Sequence, residues 1–258
     1  MLTFKQWQND QVPRHQIDPV VQSDPYSLVN KTTPTVTIEP ESLDISPYNH
    51  CIVLPTSLKW LLPKSIINLV HIGIISGTLS NMNEWESMKP VPGMYDTEEH
   101  MINSTEQFVI HYNLWRLEDT LIAIIDENEV KYPAIVTNFM TRNLAQLLRD
   151  IKDITILVNS DKITELKQLS YLVPPEFITG SITNFILALP RKELKVIVVP
   201  SEGPIGFEKY NFPTVDALVD EMSKLLCSYP SQTEYYVSEC LKLWKLDECT
   251  TTQGGLYI

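Results

Sequence analysis

ITILVNS, residues 154–160, is rich in Ile and Val and closes on a polar pair. A run of this kind between turn-forming residues reads as a strand buried in a sheet. Its flanks set the architecture. Upstream, Phe139, Met140, Leu144, Leu147, Leu148 and Ile151 recur near the helical period, and Pro133 is suited to the start of that helix. Downstream, PPEFITGSITNFILAL opens at Pro174 with a proline-fixed turn and runs into a helix expected over 183–189. LKVIVVPSEGPIGFEK, from Leu194, is then a second strand ending in a loop. Strands alternating with helices define an α/β body: a single domain with a mixed, largely parallel sheet flanked by helices.

Moving toward the amino terminus, QFVIHYNLWRL and TLIAIID are two apolar runs joined by Glu118 and Asp119, which predicts a hairpin or two adjacent strands. HCIVLP (50–55) and LVHIGIIS (69–76) are further strands. Residues 81–105 turn polar and acidic with no period of either kind, so a flexible acidic loop is expected there. The proline-rich span up to residue 48 reads as an extended amino-terminal arm, leaving an α/β domain over 49–247 and a carboxyl-terminal tail over 248–258. At its front, Phe4 and Trp7 form an apolar pair at i, i+3. Toward the tail, Val215, Leu218, Val219, Met222, Leu225 and Leu226 trace one helical face behind Thr214 as the expected N-cap. SQTE, 231–234, has the pattern of a capping box ahead of a stripe of Val237, Cys240, Leu241 and Trp244.

The formal charge is -12, from 20 basic and 32 acidic side chains, and no cluster of Lys and Arg offers a phosphate-binding surface. Nucleic acid is therefore not an expected partner. Neither is a membrane: the longest apolar segment, 66–75, is broken by Asn68 and His71, and the start carries no secretory pattern. Cys51, Cys227, Cys240 and Cys249 lack C-x-x-C spacing and read as reduced thiols, so a cytoplasmic or nuclear address is expected.

Catalytic chemistry finds no local support. There is no phosphate-cradling glycine motif. Ser201 to Gly206, after a strand, is the one candidate anion loop, but it has a carboxylate at Glu202 where an anion would sit, and it reads as a structural turn. Asp126 and Glu127 close another strand and read as solvated turn residues. His15, His50, His71, His100 and His111 are dispersed, without metal-ligand spacing. No catalytic, cofactor-binding or metal-binding residue is expected, and no cofactor.

The last residues, CTTTQGGLYI, pose a different problem: Leu256, Tyr257 and Ile258 stand at the tip of a polar tail behind two glycines, where ordering costs most. A terminal carboxylate on Ile258 can pair with a Lys or Arg, while Leu256 and Tyr257 supply apolar area and one hydroxyl. That set suits a ligand for a pocket on another molecule. Leu-Tyr-Ile also fits the pattern read by PDZ domains, in which a tail adds a strand to a sheet edge.

This ending resembles the hydrophobic-tyrosine-any motif of proteasome activators and assembly chaperones. FKQW (4–7), PPEFITG (174–180), PSEGPIGFEK (200–209) and GLYI (255–258), in that order, resemble the fungal proteasome assembly chaperone 1 family. The resemblance implies a non-enzymatic chaperone that pairs with a second, related chaperone. The heterodimer would cap the α-ring of the immature core particle, with Leu256, Tyr257 and Ile258 as the partner-binding residues on the α-subunits. It also implies an α/β body distantly like the nucleoside phosphorylases without their activity. An enzyme of that type remains the alternative from a different class.

Overall fold

β-branched runs and helical stripes fall where the sequence puts them. The computed structural model describes residues 34–79, 108–127, 134–169, 180–189, 194–203, 205–227 and 230–246. Eight strands share one sheet: β1 (Thr35–Glu39), β2 (His50–Pro55), β3 (Val70–Leu79), β4 (Phe108–Leu117), β5 (Thr120–Ile125), β6 (Asp153–Ser160), β7 (Lys167–Leu169) and β8 (Leu194–Pro200). Among the described residues four helices accompany them: α1 (Ala134–Leu147), α2 (Ser181–Ala188), α3 (Phe212–Leu226) and α4 (Pro230–Leu246), with 3-10 turns at Thr56–Leu61 and Leu148–Asp150.

The strand order is β1-β3-β4-β5-β2-β6-β8-β7. β5, β2, β6 and β8 pair in parallel, Ile52 standing opposite both Ile122 and Thr155, and Ile156 opposite Val196. β1 pairs antiparallel with β3, β4 with β5, and β7 with β8. The sheet is thus mixed, and parallel pairing belongs to its centre rather than to the whole. The two-residue turn Glu118-Asp119, with Glu118 at φ 51, returns β5 antiparallel beside β4.

Each face carries a helical layer. Ile52, Leu54, Ile122, Leu157, Ile197 and Val199 point to one side and bury against Val215, Leu218, Val219 and Met222 of α3 and Tyr236, Cys240 and Trp244 of α4. Val53, Ala123 and Leu114 share the other face. On that side a Cβ at Gly77 would lie 2.5 Å from Met140 Sδ of α1, so a larger residue there would require Met140 to move.

Several boundaries differ from the sequence reading. Within the span read as an arm, Thr35–Glu39 is the edge strand, its Val36 and Ile38 alternating with exposed Thr35, Thr37 and Glu39. Asn211, not Thr214, caps α3: its side chain accepts from the Thr214 backbone N–H at 2.9 Å, and Pro213 follows within the first turn. α4 begins at Pro230, so Ser231 lies inside the helix rather than at its cap. The rest of residues 1–33, the loop over 81–105 and the tail over 248–258 lie outside the described residues.

Candidate functional site

The partner-binding residues expected from sequence, Leu256, Tyr257 and Ile258, lie outside the described residues, as do FKQW and most of PPEFITG. Their attachment point does not. β8 runs to the carboxyl edge of the parallel sheet, α3 returns from that edge, and α4 runs back to it, so Leu246 ends at the edge where β2, β6 and β8 end. Phe212, first in α3, confirms the antiparallel arrangement by lying 6.3 Å, centroid to centroid, from Trp244 near the end of α4.

α4 is held firmly. The Tyr236 hydroxyl donates to the Leu61 carbonyl at 2.8 Å in the interior, and Cys240 and Trp244 are buried one and two turns on. Burial drives the Tyr236 phenol well above its usual range, with Cys240 adding to the effect, so the hydroxyl keeps its proton and remains a donor.

Ser201 to Gly206 lies at the same edge. Glu202 and Lys209 close it by exchanging backbone hydrogen bonds of 2.9 and 2.8 Å, and Gly203 and Gly206 adopt φ of 103° and 91°. This is a hairpin-like turn whose glycines are required by backbone geometry. A cleft of about 230 Å³ beside it is lined by Asp161 and Glu202 against a single lysine, Lys209. Two carboxylates facing one ammonium disfavour an anionic ligand. Beneath the turn, Tyr210 is fully buried; its hydroxyl lies 2.9 Å from Ser57 Oγ and 3.1 Å from Asn159 Oδ1, while Asn159 Nδ2 donates to Ser57 Oγ at 2.9 Å. The triangle fastens β6, the 3-10 turn and the hairpin together.

Glu127 corrects the sequence reading. Instead of a solvated turn residue it is a buried carboxylate that accepts from Ser181 Oγ at 3.2 Å. Burial, then the neighbouring Glu127 and Asp126, raises the Tyr112 phenol well above its usual range. Such a phenol keeps its proton and cannot serve as a base near neutral pH. The described histidines stay apart: His50 pairs with Asp153 at 3.1 Å, His111 Nδ1 with Ser76 at 2.9 Å, and His71 stands edge-on to Trp115. Burial pushes the Cys240 thiol up to about 12 and raises Cys51 and Cys227, which favours the protonated thiol over the thiolate near neutral pH.

A second cleft, of about 540 Å³, opens at the amino edge among Ile67, Arg116, Glu118, Asp119, Leu225 and Leu226. The antiparallel α3–α4 pair puts it at the opposite end from Leu246.

Comparison with known proteins gives this geometry its context. A family model described as the POC1 chaperone matches residues 1–258. Proteasome chaperone 1 of Saccharomyces cerevisiae is 31% identical over 280 aligned positions, covering 100% of both chains. Two crystal forms of Pyrococcus furiosus PbaA, described as an archaeal homolog of proteasome-assembly chaperone, are similar at 13% and 14% identity. They cover 83% and 82% of this chain and 97% and 89% of theirs, with TM-scores of 0.45 and 0.46. The chain belongs to the POC1 chaperone family.

Proposed function

We propose that this chain is a chaperone for assembly of the proteasome core particle, acting in the cytoplasm or nucleus. It pairs with a second, related chaperone, and the heterodimer caps the α-ring of the immature particle. Leu256 and Tyr257 enter a pocket between α-subunits, and the Ile258 carboxylate pairs there with a basic side chain. The observation that carries the reading is similarity along the whole chain to proteins named for this role, together with a terminus, GLYI, chemically suited to insertion. The role asks for no catalytic group.

The tail alone binds weakly. Burying the Leu and Tyr side chains contributes ~1.5–3 kcal/mol each, and a charge-assisted bond to the carboxylate ~1.5–3 kcal/mol. Ordering five residues costs roughly 1–2 kcal/mol apiece, and association takes several kcal/mol more. Useful affinity therefore requires a second contact, from the folded body or the partner's own tail, linked to the first.

Tyr257→Ala, compared with wild type in affinity purification from the host, tests the pocket reading. Loss of α-subunits with the partner chaperone retained is expected. Equal recovery counts against it, and tolerance of Tyr257→Ala with loss on Ile258→Asp indicates a PDZ-type ligand instead.

A further inference from the structure

We infer that the cleft at the amino edge is a binding site for a zwitterion with an apolar side chain, an α-amino acid or a short peptide. The site is independent of the tail. Its volume of about 540 Å³ falls within the roughly 300–1,000 Å³ of small-ligand sites. Three parts of the chain meet there. The segment leading into β3 brings Val70, the turn between β4 and β5 brings Arg116, Glu118 and Asp119, and the junction of α3 with α4 brings Leu225 and Gln232.

The ligand class follows from the charges. Arg116, Glu118 and Asp119 line one cleft from one turn, yet among the described residues none of them makes an ion pair, with each other or with any other side chain. A guanidinium offers paired N–H donors to a carboxylate, and two carboxylates accept from an ammonium. A simple anion would face Glu118 and Asp119, and a simple cation would face Arg116, so a molecule carrying both charges suits the cleft best. Val70 and Leu225, 39% and 40% exposed, supply apolar area for its side chain. The backbone adds a second observation. Glu118, at φ 51, is the one residue other than glycine with a positive φ among the described residues. Glycine would adopt that conformation with less strain, so the turn holds a carboxylate where the fold alone favours none. Glu118→Gly therefore removes the charge while relaxing the backbone, which separates binding from folding.

The test is titration calorimetry on the full chain with L-leucine and with dileucine. Saturable binding of at least one is expected. N-acetyl-leucine lacks the ammonium and leucinamide the carboxylate, so each is expected to bind about tenfold more weakly or worse than L-leucine. Glu118→Gly and Arg116→Gln are each expected to weaken binding by about tenfold, the first with its thermal midpoint kept or raised. Tighter binding of L-leucine supports the inference with a free amino acid as the ligand, and tighter binding of dileucine supports it with a peptide. No saturable binding of either up to about 10 mM overturns it. So does equal binding of N-acetyl-leucine and leucinamide with L-leucine, which would make the cleft a plain apolar groove, and so does unchanged affinity in both variants.

Discussion

Among the described residues, buried side-chain hydrogen bonds tie elements that lie far apart in sequence. The Tyr210, Ser57 and Asn159 triangle and the Tyr236 bond to the Leu61 carbonyl each tie the 3-10 turn to an element distant in sequence. The cysteines give the residue scale a pH signature. Burial, the largest cause, lifts Cys240 to about 12 and Cys51 higher still. A thiol whose pKa is raised by folding holds its proton longer in the folded chain. Its contribution is complete below about pH 8.5, the ordinary thiol value, and is lost as pH climbs toward the folded pKa. Urea midpoints measured from about pH 8 to about pH 11 should therefore fall, with Tyr112 and Tyr236 adding the same sign at the upper end. Cys51→Ala/Cys240→Ala is expected to flatten that fall; an identical slope in the variant contradicts the assignment. None of these fastenings was legible in sequence, because Ser57 and Tyr210 are 153 positions apart. Glu127 was misread for the same reason, since only the fold brings Ser181 to it.

Among elements, legibility follows pattern length. β2, β6 and β8 and the stripes of α1, α3 and α4 were readable because four or more apolar positions recur within each. β7 was not, since Lys167-Gln168-Leu169 is three residues, too short to show a period. β1 was masked by the prolines around it, although Val36 and Ile38 alternate correctly. Cap positions moved by a few residues because Asn211 and Pro213 compete with Thr214 for the same turn, and hydrogen-bond geometry decides between them. β1 also offers an element-scale test. A Cβ at Gly73 would stand 2.7 Å from the Glu39 carbonyl oxygen, a backbone atom that moves only with its strand. Gly73→Ala is expected to cost about 1–3 kcal/mol and to strip hydrogen-exchange protection from Thr35–Glu39 while β2, β6 and β8 keep theirs. Loss spread evenly over the sheet, or no loss, contradicts that packing.

At the scale of the whole molecule, the parallel strands set the direction of the α3–α4 pair. The central sheet fixes a carboxyl edge, and α4, pinned by Tyr236, Cys240 and Trp244, brings its last turn at Trp244 against Phe212 at the start of α3. The sequence displayed the tail's chemistry plainly but not its point of departure, because the direction of a helix relative to a sheet is a property of topology. The most direct test is a structure of the chaperone pair seated on an α-ring. The expected result is Leu256, Tyr257 and Ile258 ordered in a crevice between two α-subunits, with the terminal carboxylate within hydrogen-bond distance of a Lys or Arg. A complex in which the body is bound and those three residues lie ordered elsewhere, or unordered, contradicts the account.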